Sequence, residues 1–292
     1  MRLINRKEVE KRMVSRFRTD AFYKLMFLCA TLFSLAILII LLYRIFAQGV
    51  EYINWGFLKH FSSRKPEQAG IAAALWGTVS LMAIVAPVSL LLGVGTALYL
   101  EEYAKKTRFT ALIELNIQTL AGVPSVVFGL LGLTIFVYAM GLGQSLLAGG
   151  LTMSLLVLPI IVVASQEALR SVPRGAVEGS YGLGATKWQT ISRIILPAAF
   201  PGILTGCVLA LSRAIGEAAP LLVIGALAYA NYLPSGLSDG FTVLPIQIFN
   251  WMGRPQEEFQ HAAAAGIVVL LALLAIMNAV AVLWRSRRQG RN

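Results

Sequence analysis

The 292-residue chain is 57% hydrophobic and only 13% charged, with a mean hydropathy of +0.72, which excludes an ordinary soluble domain and marks a polytopic membrane protein. Its net charge of +11 would suggest nucleic acid in a soluble chain, but here Lys and Arg sit in short segments beside apolar runs, the pattern that sets membrane orientation. Cys29 and Cys207, the two cysteines, each fall inside an apolar run, so both are expected to pack in the core rather than form a disulfide or a metal site.

Arg2, Arg6, Lys7, Lys11, Arg12, Arg16 and Arg18 make residues 1–21 a basic segment expected to be held in the cytoplasm. Span 1, Phe22 to Phe46, is long enough for a hydrocarbon core of roughly 30 Å. It is too long and lacks the small-residue cleavage site of a signal peptide, so it is read as a retained span. A mixed-charge loop follows, with Trp55 and Phe57 suited to the membrane interface. Span 2, Ile71 to Leu100, contains Pro87 and the small pair Gly93 and Ala97, which permits close helix approach. Residues 101–118 turn from polar to amphipathic, with Glu114 and Asn116 arguing against membrane burial. Span 3 is expected to start near Leu120, tightly packed and kinked by Pro124, Gly122, Gly129 and Gly132. A short turn at Gly141 to Gln144 leads to span 4, Ser145 to Ser165.

Residues 167–197 form a polar loop. Its stretch Glu178 to Pro197, EGSYGLGATKWQTISRIILP, lies between two strongly apolar runs and must sit at an aqueous face, because lipid offers its charges no partners. Thr186, three residues before Gln189, is expected to cap a helix with Trp188, Ile191 and Ile195 on one face, while Gly182 and Gly184 end the helix before it. Periodicity alone equally allows a helix hairpin resting on headgroups. The offsets of Glu178, Gly184, Ile194, Leu196 and Pro197, however, resemble the EAA loop of ABC importer permeases: E-A-A, three residues, G, nine residues, I-x-L-P. Gly179 and Ser180 stand in place of the two alanines. The resemblance implies that these five residues belong to the element that docks into an ATPase subunit.

Span 5, Ala198 to Ala228, is interrupted by SRAIGEAAP. Arg213 is expected near its middle with Glu217 at i+4 on the same helix face. An arginine at the bilayer centre costs about 2.5 kcal/mol or more, so it demands a partner or a wet cavity. One reading is an ion pair that fixes helix register. The other is an oxyanion contact: the guanidinium offers two parallel hydrogen bonds, Ser212 and the backbone near Gly216 add donors, and Glu217 neutralises the charge when the path is empty. Pro220 frees a carbonyl one turn back. The outer segment, 231–260, is too apolar in FTVLPIQIF to be fully solvated and is expected in part to re-enter the membrane or form a docking surface. Span 6, Ala262 to Trp284, precedes a basic tail, 285–292. With both termini inside, 19 Lys and Arg are cytoplasmic and five are external, with Arg213 between, as the positive-inside rule requires.

RAIGEAAP, Arg213 to Pro220, is similar to the RA-x-GE-(T/A)-AP signature of phosphate importer permeases, with Ala218 where threonine is common. GVPSVVFGLLGL, ALYLEEYA and LPIQIFNWMGRPQEEFQHAAAA also look like that family, so residues 70–290 resemble the PstA type of phosphate ABC permease. The resemblance implies an all-α, six-helix, MetI-like domain over 22–284 in a bacterial inner membrane, with Arg213, Glu217 and Ser212 on the substrate path. It also implies partners: a second permease of PstC type, an ATPase dimer of PstB type, an external or periplasmic phosphate-binding protein of PstS type, and surrounding membrane lipid. No catalytic residue, metal or other cofactor is expected in this chain; it has no G-x-x-x-x-G-K-[ST] loop and should not hydrolyse ATP alone, so ATP and Mg are expected in the partner ATPase. Two alternatives stand beside this reading: a permease for another oxyanion such as molybdate or sulfate, and an ion-coupled carrier using Arg213 and Glu217 as a proton relay. An intramembrane hydrolase is disfavoured, since His60 and His261 fall in outer segments and no nucleophile constellation occurs in the spans.

Overall fold

The computed structural model describes residues 6–289, with side chains from 16–17 and 19–283. The basic residues expected to orient the two ends, Arg2 to Arg12, Arg18 and Arg285 to Arg291, lie outside the described side chains. Among the described residues all regular structure is helical. In order these are α1 (Arg6–Gly49), α2 (Trp55–Lys59), α3 (Ala72–Leu98), α4 (Arg108–Leu120), α5 (Ser125–Gly132), α6 (Leu146–Arg170), α7 (Arg174–Gly182), α8 (Lys187–Thr190), α9 (Leu196–Gly216), α10 (Ala219–Ile224), α11 (Leu244–Met252) and α12 (Glu257–Gln289). Three π-helical stretches extend these elements: Tyr99–Tyr103 after α3, Leu133–Ala139 after α5, and Ile191–Ile195 between α8 and α9. Among the described residues five helices are long and apolar enough to cross a membrane, and a sixth span is reached if α4 and the apolar stretch from Ser125 to Ala139, a sharply bent pair, count together as one.

The pair corrects the expectation of one kinked helix starting near Leu120. The two halves meet at 107°. Val123 precedes Pro124 and is biased away from helical geometry, while Pro124 has no N–H to continue the ladder, so the chain leaves α4 and restarts at Ser125. α4 keeps the amphipathic character read from the sequence: Ile113 and Ile117 face the core, while Phe109, Leu112 and Leu115 are exposed.

α6 is the centre, packed most extensively on α3, α9 and α5. Lipid is as apolar as leucine, so close backbone approach, not burial from water, has to hold these helices together. Small residues provide it. A Cβ on Gly93 would lie 2.6 Å from Ile161 Cγ2, and one on Gly150 would lie 2.7 Å from Ile84 Cγ2. α12 packs on α1, α9 and α11, and α1 packs chiefly along α12. Cys29 is exposed on α1, contrary to the core position expected for it; Cys207 is buried.

The outer segment folds inward. α11 is buried along most of its length, and Trp251 and Phe57 lie in one cluster with ring centroids 5.9 Å apart. Phe57 is therefore core, whereas its neighbour Trp55 is exposed as an interface residue would be. The entry of α11 is docked on span 2: Thr78 donates its hydroxyl to Ala74 O at 2.7 Å and accepts Leu244 N–H at 2.9 Å, capping α11 from another helix. In the preceding loop the Asp239 carboxylate accepts from Ser235 N and Gly236 N, then from the Ser235 hydroxyl, and these bonds hold it below the usual carboxylate range. One consequence is directly measurable. A Cβ on Gly77 would lie 2.0 Å from Thr242 O, a backbone atom unable to swing aside. Gly77→Ala is expected to destabilise the purified protein by about 1–3 kcal/mol, read as a lowered melting temperature. An unchanged melting curve would contradict the docking of the outer segment on α3.

Candidate functional site

Two features set positions apart from plain helix packing. The first is the polar loop. Thr186 and Gln189 form the expected capping box: Gln189 N–H donates to the Thr186 hydroxyl at 3.4 Å, and Thr186 N–H donates to Gln189 Oε1 at 2.8 Å. Gly184 makes the turn between α7 and α8 at φ +82°, a left-handed conformation in which a side chain is strained. A buried hydrogen bond between the Ser180 and Thr190 hydroxyls, 2.9 Å, joins the two sides of the hairpin. Ile191 and Ile195 are buried, as expected, but Trp188 is not on their face. Trp188 lies in the short helix α8, before the π-helical stretch Ile191–Ile195, and is exposed. At the apex, Leu183 is 91% exposed and Trp188 60%, with Tyr181 beside them. Glu178 is also exposed. Large apolar side chains presented on a polar, glycine-broken turn are the makings of a docking surface.

The second feature is the break in span 5. The interruption expected at SRAIGEAAP is a full helix break: Arg213 lies in the last turn of α9, which ends at Gly216, so Arg213 and Glu217 do not share one helix face as expected. Glu217 takes an extended conformation, φ −82° and ψ 119°, and α10 starts anew at Ala219 with Pro220 in its first turn. The reason is local: Pro220 has no N–H to donate back to Gly216, and Gly216 is a weak helix former. Arg213 Nε and Glu217 Oε1 are 3.4 Å apart, with the arginine side chain 57% exposed and the glutamate 21%. The pair thus spans a helix end and faces outward from this subunit, with the carbonyl end of α9 beside it. Ser212 is engaged elsewhere: its hydroxyl donates to Asn278 Oδ1 of α12 at 2.7 Å, tying span 6 to span 5 next to the arginine. Sequence reasoning passed over Asn278, although an asparagine within an apolar run is a usable signal. α10 leans on α5, where a Cβ on Gly129 would lie 2.8 Å from Pro220 Cα. Gly129 of GVPSVVFGLLGL therefore seats the broken half of span 5, while Gly132 lets α5 approach Thr152 of α6.

Residues 89–289, from the second half of α3 to the end of α12, match the binding-protein-dependent transport system inner membrane components. The chain belongs to that family. The match covers the polar loop and the break in span 5 alike. Among curated relatives of this family member are the probable ABC transporter permease YqgI of Bacillus subtilis (strain 168), 35% identical over 79% of this chain and 76% of that one, and the phosphate transport system permease PstA 1 of Mycobacterium tuberculosis (strain CDC 1551 / Oshkosh), 35% identical over 75% and 72%. PstA of Yersinia pestis is 31% identical over 86% of this chain and 84% of its own. Among solved structures, the inward-facing MetNI methionine ABC transporter aligns with a TM-score of 0.62 at 16% identity, covering 75% of this chain and 95% of that one. A bacterial alginate ABC transporter, solved with an alginate-bound periplasmic protein, aligns at 0.62 and 18% identity, covering 92% and 96%. At such identities the likeness is one of fold, and the fold is that of the MetI-like ABC permeases. As a permease of this family the chain is a multi-pass inner membrane protein and a transport subunit.

Proposed function

We propose that the chain is the transmembrane permease subunit of an ATP-driven importer of inorganic phosphate, forming half of the translocation path. The observation that carries this reading is Arg213, a guanidinium more than half exposed at a helix break inside a membrane span, in a chain whose relatives include phosphate permeases. A planar guanidinium meets a tetrahedral oxyanion with two parallel hydrogen bonds. Glu217, 3.4 Å away, satisfies the charge when no anion is present and yields when one arrives. The nearby carbonyl end of α9 disfavours the anion and keeps binding weak enough for release, as a path requires. Ser212 acts through Asn278, holding span 6 against the arginine.

The loop of Glu178, Gly184, Ile194, Leu196 and Pro197 couples this movement to ATP hydrolysis in a separate ATPase dimer of PstB type, which holds ATP and Mg; this chain needs no cofactor of its own. A second permease of PstC type closes the path, and an external phosphate-binding protein of PstS type delivers the ion. Both termini and the coupling loop are cytoplasmic, within the organisation 1–21, 22–284 and 285–292. The charge distribution supports that orientation.

Reconstituting the four components in proteoliposomes tests the proposal. ATP-dependent phosphate uptake is expected, unaffected by collapse of the proton gradient. Uptake that stops with the gradient would favour the ion-coupled carrier, and competition by molybdate or sulfate ahead of phosphate would favour the other oxyanions. Topology is checked separately. With Cys29 and Cys207 replaced, an impermeant thiol probe is expected to label a cysteine at Ser238 from outside and one at Thr186 only from inside. The reverse pattern would remove the coupling-loop assignment.

A further inference from the structure

The coupling loop is continuous in sequence with spans 4 and 5, through α7 and α8, whereas span 2 is distant from it in sequence and packs along span 4. At the end of span 2 nearest the loop, the contacts that reach span 4 and the loop are charged and polar. Glu101, in the π-helical stretch that ends span 2, receives Arg170 Nη2 at 2.6 Å and Gln166 Nε2 at 3.0 Å, both from the end of span 4. Arg170 also lies 3.7 Å from Glu167 and 3.9 Å from Glu114 of the amphipathic helix α4. Two residues beyond Glu101, the ring of Tyr103 lies under Lys187 Nζ at 4.8 Å, and Lys187 opens the second coupling helix. Between these contacts lies a cavity of about 480 Å³ with charged walls of Glu101, Glu102, Arg170 and Glu178 and an apolar floor that includes Val172 and Ile195. Span 2 and the first coupling helix thus face one another across an open cavity rather than in direct packing.

Building on the permease reading, we infer that Arg170 and Lys187 are positioning residues: they clasp the end of span 2 to span 4 and to the coupling loop, so that ATP-driven movement of the loop carries span 2 with it. A π-helical stretch is suited to this role, since its looser ladder lets a helix end shift without breaking. Arginine suits the hub because its fork can serve several carboxylates from one plane. Spans 4 and 5 follow the loop by chain continuity, and the clasp extends that motion to the remaining wall of the path.

The test is the ratio of phosphate imported to ATP hydrolysed, measured on the purified, assembled transporter in proteoliposomes. Arg170→Gln is expected to keep stimulated hydrolysis within about twofold of normal while uptake falls at least about tenfold. Arg170→Lys, which keeps the charge and loses the fork, is expected to recover part of the ratio, and Lys187→Gln to lower it about threefold. A merely structural brace predicts otherwise: lower yield of assembled complex and an unchanged ratio in what assembles. That result for Arg170→Gln overturns the clasp. Should Arg170→Gln fail to assemble, Lys187→Gln decides, because Lys187 is exposed and its loss leaves the core intact; an unchanged ratio there equally overturns the proposal. Failure of the wild-type assembly to import phosphate would instead sink the permease reading itself.

Discussion

Arg213→Gln is expected to lower phosphate uptake about 100-fold while the transporter assembles at normal yield. Losing two charge-assisted hydrogen bonds of about 1.5–3 kcal/mol each removes more than the roughly 2.8 kcal/mol that a 100-fold effect needs. The structure adds a second cause. With the guanidinium gone, an approaching anion meets the Glu217 carboxylate and the carbonyl end of α9, both of which repel it. Arg213→Lys restores charge but not the two-point fork and is expected to recover little. The double variant Arg213→Gln with Glu217→Gln removes the repulsion without restoring the contact, so uptake stays low. An ion pair that only pins helix register predicts the opposite: impaired assembly in the single variant and rescue of both assembly and uptake in the double. That outcome would sink the substrate-contact assignment.

Gly184→Trp is expected to insert normally and to lose ATPase association or at least about tenfold of substrate-stimulated hydrolysis. The cause is conformation before bulk: Gly184 sits at φ +82°, yet a Cβ there would meet nothing within 4 Å. Left-handed backbone costs an ordinary residue about 1–2 kcal/mol, enough to move the turn and misplace Leu183 and Trp188 at the apex. Gly184→Ala should therefore impair coupling although alanine fits, and Gly184→Asn, which tolerates this conformation, should impair it less. Equal activity of the alanine and wild-type proteins would show that the turn geometry is not what presents the docking surface.

Membrane residence, the all-helical class and the permease family were legible in the sequence, because each rests on local quantities: hydropathy over a bilayer-length window, charge beside apolar runs, and motifs at fixed offsets. The Thr186 capping box was legible for the same reason, since both partners lie within one turn. Where one side chain lies relative to a distant one was not. Hydropathy treats Phe57 and Trp55 alike, and only the packing of α11 buries the first and leaves the second exposed. Periodicity grouped Trp188 with Ile191 and Ile195, but burial also depends on what lies opposite each turn, and Trp188 stands exposed while the two isoleucines are buried. Arg213 and Glu217 at i+4 read as one helix face, whereas the helix ends between them once Pro220 withholds its donor. The bond from Ser212 to Asn278 and the contacts of Arg170 with Glu101 and Glu114 join residues tens of positions apart. Their pairing depends on helix rotation and depth, which are set by small-residue packing such as Gly93 on Ile161 and Gly129 on Pro220, and so only the tertiary structure decided them.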